Sequence, residues 1–379
     1  MRRPDRRDQI IQAAGELFHA RGYAAVTVDQ IASSLGISGP AIYKHFAGKH
    51  AVLLASVDDA VARLEAVVAR PDPGDHFIAA LADAASGSTH LGSMIEREIL
   101  HTDLESQAAF QRRINAVFAT IATAIASEPA ATASAEFLAR SMVAVASSAS
   151  FGRSAPSKAL ERQIIGRALR VLAFGHGIVA DGMVVAPDRA RAVVRGWLPR
   201  EEAILAALPG ITFERGGIGA VTLESVGASA GISGPSVYNY FDSKADLWAT
   251  WLARVASWSI SSLQQSLAYS EAPDDVMRRA LTDYVDLTRR VPAFAMPVDP
   301  SDPRIPQQTR AQIESFVSDY LGLWVVCAQA ARPELEPEAA EALTLAAHAV
   351  INRAHTLAAP SVIPDDAALA RLALAVFAS

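Results

Sequence analysis

The chain repeats part of its own sequence. The 24 residues from Val26 to Lys49 return 195 positions later, from Val221 to Lys244, and 11 of the 24 positions are identical. This period is far longer than the roughly 20–50 residues of solenoid repeats, and it is about half the length of the 379-residue chain. The sequence therefore predicts that one pair of domains has been duplicated and fused into two similar units.

The chain has enough apolar residues to form a large core without covalent cross-links. Its residues are 51% hydrophobic, and Cys327 is the single cysteine, so a disulfide framework is excluded and a reducing, cytoplasmic setting is expected. No uninterrupted apolar stretch reaches the ~18 residues of a membrane-spanning helix. The basic start of the chain lacks the apolar segment of a signal peptide. We therefore expect no contact with a membrane.

The hydrophobic pattern is helical along nearly the whole chain. Apolar residues recur at three- and four-residue steps, for example from Ile114 to Ile125. No alternating strand pattern stands out. The stretch 291–306 contains five prolines and is predicted to be an irregular loop, and 181–200 is the predicted junction between the units. The fold class predicted is all-α.

The repeated segment has the pattern of two short helices joined by a tight turn. Thr27 is predicted to cap the first helix, with Gln30 completing a capping box. Gly36 permits a left-handed turn residue, and Ser38 is predicted to cap the second helix. Ile42 and Phe46 would bury the inner face of that helix, leaving residues 43–45 largely outward. Such a helix-turn-helix can place its second helix in the major groove of DNA.

These residues resemble the TetR family of bacterial transcriptional regulators. The matching segments are Ile10–Phe18, Arg21–Tyr23, Thr27, Ile31–Ala32, Gly36–Phe46 and Lys49, with a weaker copy over about 202–248. The resemblance implies a three-helix DNA-binding head followed by a helical bundle that binds an effector and dimerises. Two fused units would then form an intramolecular pseudo-dimer. The expected domains are a first head (1–50), a first effector and dimerisation domain (51–195), a second head (196–248) and a second effector and dimerisation domain (249–379).

The resemblance assigns roles to residues of the first head. The expected phosphate contacts are Thr27, Tyr43 and Lys49; the expected base-facing residues are Gly39, Pro40, Ala41, Lys44 and His45; and an arm with Arg2, Arg3, Arg6 and Arg7 is expected to reach phosphates or the minor groove. Residues 1–50 carry seven Lys and Arg against four Asp and Glu, a net charge of +3. The chain as a whole is at −6, so its average charge conceals a basic end suited to nucleic acid.

The second head is acidic and differs in its first helix. Its counterparts of the DNA-contacting residues are Thr222, Gly234, Pro235, Ser236, Tyr238, Asn239, Tyr240 and Lys244. Residues 196–245 carry three basic and five acidic residues, a net charge of −2, and Pro209–Gly210 is expected to interrupt the first helix. Either both heads dock, reading the two halves of an asymmetric operator, or the second head is a vestigial structural domain or a site for protein.

The remaining residues predict a ligand-binding regulator without a cofactor. Candidate pocket residues, which are equally good core residues, are Phe110, Phe118, Phe137, Phe294, Phe316 and Trp324. The segment Arg332–Glu338 and the Ala-rich helix after it are similar to family members that regulate lipid or acyl-CoA metabolism, which suggests an effector of that type. No metal-ligand spacing, phosphate-binding glycine loop or nucleophile–base pair is found. We therefore expect a repressor, not an enzyme, that binds double-stranded operator DNA and is released by a small apolar effector.

The oligomeric form follows from the duplication. A single fused chain can act as a monomeric pseudo-dimer, or two such chains can pair further. The predicted seam between the units lies on residues 132–151 and 157–180 of the first unit and 336–358 and 364–378 of the second. The competing interpretation, for the small-residue segment 141–150, is an ordinary core helix within one unit.

Overall fold

The first half of the chain is a succession of helices. The computed structural model describes residues 5–69, 75–126, 132–153, 156–179, 182–185, 199–215, 218–295, 305–355 and 362–379. In the first half the α-helices are α1 (Arg6–Arg21), α2 (Val28–Ser34), α3 (Gly39–Ile42), α4 (Lys49–Val68), α5 (Asp75–Gly87), α6 (Leu91–Glu96), α7 (Leu104–Ile125), α8 (Thr132–Ser148), α9 (Lys158–Ala173) and α10 (His176–Val179). Helices of the 3-10 type follow α6 and α8, at Glu98–His101 and Ala149–Phe151.

The second half is also a succession of helices. Its α-helices are α11 (Arg200–Glu214), α12 (Leu223–Ala230), α13 (Lys244–Tyr269), α14 (Pro273–Arg290), α15 (Gln307–Ala331), α16 (Pro337–His355) and α17 (Asp366–Phe377). Three 3-10 helices span Ile218–Ala220, Gly234–Asn239 and Pro292–Ala295. The two heads correspond element by element, since α1, α2 and α3 match α11, α12 and the 3-10 helix Gly234–Asn239. The predicted all-α fold of two similar units is confirmed.

The two halves meet through four helices, which we name the seam. Helix α8 packs along α16, and α9 packs against both α16 and α17. Beside them a two-stranded antiparallel sheet joins the halves, because β1 (Met183–Val185) pairs with β2 (Val362–Pro364). The predicted position of the seam is therefore confirmed, and the fused units form an intramolecular pseudo-dimer.

The local chemistry of the helix-turn-helix segments agrees with most of the sequence pattern. The Thr27 hydroxyl accepts from the Gln30 amide at 3.2 Å, and the Gln30 side chain accepts from the Thr27 amide at 2.9 Å, so the predicted capping box is present. Gly36 has φ of 64°, the left-handed value that glycine adopts most easily. Ser38 stands at the start of α3, but its side chain makes no capping hydrogen bond.

Three expectations about secondary structure need correction. Pro209 does not interrupt the first helix of the second head, because α11 continues from Arg200 to Glu214 with Pro209 inside it; a proline removes one helical hydrogen bond, and the helix continues on either side. The short strands β1 and β2 were not expected, since three-residue strands show no alternating pattern. In the proline-rich stretch, residues 292–295 form a 3-10 helix, while 296–304 lie outside the described residues.

Most of the predicted junction at 181–200 also lies outside the described residues. Within the part of the chain that the structure describes, no helix combines the length and apolar character needed to cross a membrane.

Candidate DNA-binding heads and effector cavity

In the first head, residues 39–46 bury one side and expose the other; the predicted second helix ends at Ile42, as α3, and residues 43–45 form a turn. Ile42 and Phe46 are 0% and 5% exposed and pack into the core of the head. Tyr43 is 59% exposed, and Lys44 and His45 beside it are also exposed. The side chains predicted to face DNA are therefore accessible.

Lys49 is engaged within the head. Its ammonium donates to the backbone oxygens of Tyr23 and Val26 at 2.9 Å each and lies 4.2 Å from the centre of the Tyr23 ring. Partial burial lowers the pKa of this lysine. These contacts give Lys49 a part in holding the α1–α2 connection, and its expected phosphate contact stays a prediction.

The predicted arginine arm is shorter than the sequence suggested. Arg6 and Arg7 belong to the first turn of α1, whose N-terminus is capped by the Asp5 carboxylate. Arg6 hydrogen-bonds to the Gln9 side chain at 2.8 Å, and the guanidinium of Arg7 lies 5.2 Å from the centre of the Phe46 ring. The aspartate at the N-cap starts the helix before these arginines. Arg2 and Arg3 lie outside the described residues.

The second head presents a similar surface with different side chains. Tyr238 and Tyr240 are exposed, as are Pro235 and Asn239, while Ser236 is half-buried. Thr222 caps α12 through a hydrogen bond from the Ser225 amide. Lys244 is half-buried at the start of α13. These residues share the solvent-facing side of the motif, as their counterparts do in the first head.

The glycines at the starts of the two second helices lie in different surroundings. Gly39 is half-buried, and a side chain there would collide with the Asp29 carboxylate. Gly234 is buried, and a Cβ atom there would lie 3.0 Å from the Cα of Glu224. Gly234 therefore lies close to the backbone of α12, whereas a side chain at Gly39 would meet only the end of the exposed Asp29 side chain, which can move aside.

A cavity of about 600 Å³ lies in the second half, between helices α13, α14, α15 and α16. Its apolar walls include the aromatic side chains Trp251, Tyr284, Phe294, Phe316 and Tyr320. The end of α8 and the residues from 151 to 153 close one side, so the first half also contributes to the wall. This volume and lining are typical of sites for small organic molecules.

Buried polar groups line the same cavity. The Arg353 guanidinium, 6% exposed, donates to the Glu96 carboxylate at 2.6 Å. His348 stacks on the Tyr284 ring with centroids 4.0 Å apart, and burial lowers its pKa to about 3, so the imidazole is neutral. Asn352 accepts a hydrogen bond from the Tyr284 hydroxyl at 3.0 Å. The Arg353–Glu96 pair and several hydrogen-bonding groups thus face a largely apolar space, whose wall also contains Arg97, Arg153 and Glu314.

Glu96 stands next to two buried residues that hold the first head. Arg97 donates to the backbone oxygens of Phe18 and His19 at 2.9 Å each and pairs with Glu98 at 2.6 Å. The fully buried Glu98 carboxylate accepts a hydrogen bond from the backbone amide of Tyr23 at 3.1 Å. We name Arg97 and Glu98 with these contacts the clamp. It supplies donors to two carbonyl groups at the end of α1; the Phe18 oxygen also accepts from the Gly22 amide at 2.7 Å.

The aromatic candidates of the sequence separate into two groups. Phe294 and Phe316 line the cavity. Trp324 is fully buried behind them, against Tyr320 and His348. Phe110, Phe118 and Phe137 lie in the core of the first half, away from the lining of this cavity.

The heads match a known family model. The model described as "Bacterial regulatory proteins, tetR family" matches residues 10–56 and again residues 212–249. The two helix-turn-helix segments of the chain therefore belong to the TetR family. Both copies of the repeat are thus TetR-type helix-turn-helix segments, and the tandem form inferred from the repeat is confirmed.

Known bacterial transcriptional regulators are similar to short parts of this chain. The transcriptional activator FasR of Mycolicibacterium smegmatis is 45% identical over 53 residues, which are 14% of this chain and 24% of that protein. The transcriptional regulator TcmR of Streptomyces glaucescens is 38% identical over 81 residues, 21% of this chain and 34% of that protein. The matches therefore span about a third or less of these relatives.

Two solved structures are similar to parts of the chain at low TM-scores. A tetR-family regulatory protein from Rhodococcus has a TM-score of 0.39 at 22% identity and covers 45% of this chain and 96% of its own. AmtR of Mycobacterium smegmatis has a TM-score of 0.34 at 26% identity and covers 46% of this chain and 89% of its own.

The site residues predicted from the sequence do not include the charged residues that lie between the cavity and the first head. Glu96, Arg97 and Glu98 follow each other between the apolar pairs Met94–Ile95 and Ile99–Leu100. Three consecutive charges inside an apolar run are a signal of buried, paired side chains, since such groups are rarely buried alone. Arg353, the fourth member of this group, stands in a helix otherwise rich in alanine.

Proposed function

We propose that this TetR-family protein is a ligand-responsive transcriptional regulator that binds operator DNA with two non-identical heads. The observation that carries the proposal is the accessible surface of each helix-turn-helix. Ile42 and Val237 are buried in the two heads, whereas Tyr43 and Tyr238 one residue further are exposed. A motif that presents polar and aromatic side chains from a short, well-packed helix and the turn after it suits the major groove.

The two heads are proposed to read different half-sites. Lys44 suits the acceptor atoms of guanine, and Asn239 at the matching position suits adenine. The net charge of +3 in residues 1–50 against −2 in residues 196–245 makes the first head the main source of phosphate attraction. The operator of such a protein is therefore asymmetric, and the fused chain supplies the second head at high effective concentration.

The cavity is proposed to be the effector site. Its aromatic walls and about 600 Å³ of space suit a small, mainly apolar molecule, such as a lipid or acyl-CoA-like compound. Bound effector would favour a conformation with lower affinity for the operator, because only a difference in affinity between two states can shift their populations. The protein then acts as a repressor that the effector releases.

The proposal also specifies the oligomeric form, the cellular location and the domains of the protein. One chain acts as a pseudo-dimer in the cytoplasm, where its DNA lies, with heads at residues 1–50 and 196–248 and effector domains at 51–195 and 249–379. No catalytic step is assigned to it. Light scattering of the purified protein distinguishes a single fused chain from a pair of chains.

Footprinting on the DNA upstream of the protein's own gene tests the main proposal. A protected site whose two halves differ in sequence is expected, with affinity falling steeply as salt is raised. Lys44→Ala should weaken specific binding by about tenfold, as expected for loss of a base contact. Lys158→Ala removes an exposed lysine at the start of α9 and should leave binding unchanged. No sequence preference at low or moderate salt would refute the regulator.

The second head is tested separately. In the competing function, this acidic head contacts protein and the DNA is held by the first head alone. Tyr238→Ala and Lys244→Ala should each weaken operator binding, and the exposed Tyr269→Ala, at the far end of α13, is the matched control. Unchanged affinity in both variants, with a footprint covering one half-site, would favour the competing function.

A further inference from the structure

We propose that the cavity binds anionic molecules with an aromatic or apolar body, whose acidic group pairs with Arg353 in place of Glu96, and that this exchange loosens the clamp on the first head. The inference deepens the proposed function, since it takes the cavity as the effector site. It specifies the chemical class of the ligand and the residue that binds its acidic group. It also identifies the contacts through which ligand binding in the second half would affect the first head.

Arg353 is the group that selects an anion. It is buried at 6% exposure and lines the cavity, and its described partner is Glu96 on the other half of the chain. Its Nε atom is buried with no hydrogen-bond partner among the described residues. A guanidinium stays charged and presents donors in a planar fork that matches a carboxylate, phosphate or sulfonate. The unused donor therefore points to an acidic ligand group.

The other charges of the lining also favour an anion. Three arginines and two glutamates line the cavity: Arg97, Arg153, Arg353, Glu96 and Glu314. Arg97 is neutralised by Glu98, and Arg153 donates to the Ser318 backbone oxygen and, through its amide, to Glu341. Glu314 is the lining carboxylate open to a cation, but it is exposed to solvent; buried Arg353 offers an anion a desolvated partner once Glu96 is replaced.

The aromatic walls define the body of the ligand. Phe294 and Phe316 lie edge to face with centroids 5.8 Å apart, and Phe316 stacks on Tyr320 at 5.5 Å. Neutral His348, whose Nε2 has no described partner, supplies one further hydrogen-bonding position near Arg353. Aromatic rings gain from stacking and edge contacts in such surroundings. A planar or apolar acid therefore suits the cavity better than a sugar-like polar molecule.

The route to the first head runs through consecutive residues. Glu96 ends α6, and Arg97 and Glu98 follow directly. Because Glu96 is tied to α16 and Arg97 to the end of α1, the short segment 96–98 links the second half to the first head. A ligand that replaces Glu96 at Arg353 removes one of these two ties. The segment can then shift, and the clamp on Phe18, His19 and Tyr23 weakens.

Two fluorescent probes with the same rings test the ligand class on the full chain. Anilinonaphthalene sulfonate carries an acidic group, and phenylnaphthylamine has the same rings without it. Arg353→Gln should weaken binding of the sulfonate by about tenfold or more, the effect expected for a lost charge-assisted hydrogen bond, and leave phenylnaphthylamine binding unchanged. Glu96→Gln should strengthen sulfonate binding, because it removes the competing carboxylate. This opposite sign keeps the proposal testable even where Arg353→Gln folds poorly.

Two further variants locate and control the binding. Val317 is exposed and lines the cavity, so Val317→Trp should obstruct it and weaken both probes. Arg278→Gln removes an exposed arginine paired with Asp275 in the same half and should change neither affinity. If either Arg353→Gln or Val317→Trp leaves the affinity for the sulfonate unchanged, the proposal that the cavity binds anionic ligands is wrong.

Hydrogen exchange tests the route without any DNA. The sulfonate should speed exchange in peptides covering residues 18–26, which include the Tyr23 amide held by Glu98, and should leave the α12 peptides unchanged. Glu96→Gln should produce the faster exchange without a probe. Probe binding through Arg353 with unchanged exchange at residues 18–26 would overturn the route. Because neither readout uses DNA, their failure is separate from failure of the footprint that tests the proposed regulator.

Discussion

Individual buried polar residues connect the first head to the rest of the molecule. His90 precedes α6 and is 5% exposed. Its ring packs so closely against Gly15 of α1 that a Cβ atom added to Gly15 would lie only 2.7 Å from the ring atoms. Glu98 and Arg97 lie in the same region. None of these residues belongs to a recognisable motif, because their partners are 75 to 79 positions away in the chain for Glu98 and Arg97. The run of charges from Glu96 to Glu98 signals buried, paired side chains, but a local pattern does not identify partners this far away in the chain.

His90 should make the stability of the protein depend on pH. Burial first, and then the charge of Arg63, lower its pKa to about 4 from the ordinary 6.5. Between pH 6.5 and about 4 the unfolded chain binds a proton that the folded chain rejects, so stability falls as the pH drops through this window. One such residue accounts for a loss of about 3 kcal/mol.

His90→Leu tests this expectation by urea unfolding at a series of pH values. Relative to the wild type, the variant should lose less stability between pH 6.5 and 4. Above pH 7 His90 is neutral in both the folded and the unfolded wild-type chain. The difference in free energy of unfolding between wild type and variant should therefore be constant there. An identical pH dependence in both proteins would contradict a buried neutral His90.

At the scale of elements, the sequence predicts the heads well and the helix ends less well. The Thr27 capping box and the left-handed Gly36 are local features, and both are present. Ser38 and Pro209 show the limit of local patterns. Ser38 occupies a capping position without making the bond, and Pro209 sits inside a helix that continues past it. The type of residue at a position does not by itself decide these two cases.

Pro209→Ala should stabilise the second head. The proline inside α11 lacks the amide that would bond to the turn before it, and an interior proline is less favourable than alanine by about 3 kcal/mol. The thermal unfolding midpoint followed by circular dichroism should therefore rise. Pro40, in the first turn of α3, replaces an amide that has no helical partner, so Pro40→Ala should have little effect. A lower midpoint for Pro209→Ala would show that packing of the proline ring stabilises the protein by more than the missing backbone hydrogen bond destabilises it.

Two helical glycines should respond oppositely to alanine. A Cβ atom on Gly92 of α6 would overlap the backbone oxygen of Ser147 and lie 2.8 Å from its Cα atom in α8. Gly92→Ala should therefore lower the free energy of unfolding by about 2 kcal/mol, because backbone must move to admit it. Gly322 in α15 faces open space, so Gly322→Ala should raise stability by about 1 kcal/mol. Denaturant titration of both variants checks the contrast, and destabilisation by both would indicate that α6 does not approach α8 so closely.

At the scale of the whole molecule, the duplication and the seam are predictable from the sequence, but the position of the cavity is not. The repeat shows two units, and helix spacing places the seam on α8, α9, α16 and α17. The cavity depends on the volumes of side chains from several helices. Trp251 lines it, whereas the matching position of the first half, 195 residues earlier, is the small buried Ser56. Divergence between the copies at such positions makes the two halves unequal in ways that the repeat itself does not reveal.

The seam should hold the halves together without the covalent connection. A protease site inserted after residue 190 allows the purified chain to be cut between the halves. Because the seam helices pack across the two halves and their sheet pairs β1 with β2, the fragments should co-elute in size-exclusion chromatography. Leu372 is fully buried in α17 and approaches Gly175 of the first half, so Leu372→Asp should let the cut fragments separate. Separation of the wild-type fragments at micromolar concentration would mean that the pseudo-dimer depends on the covalent fusion, since linkage supplies a high effective concentration.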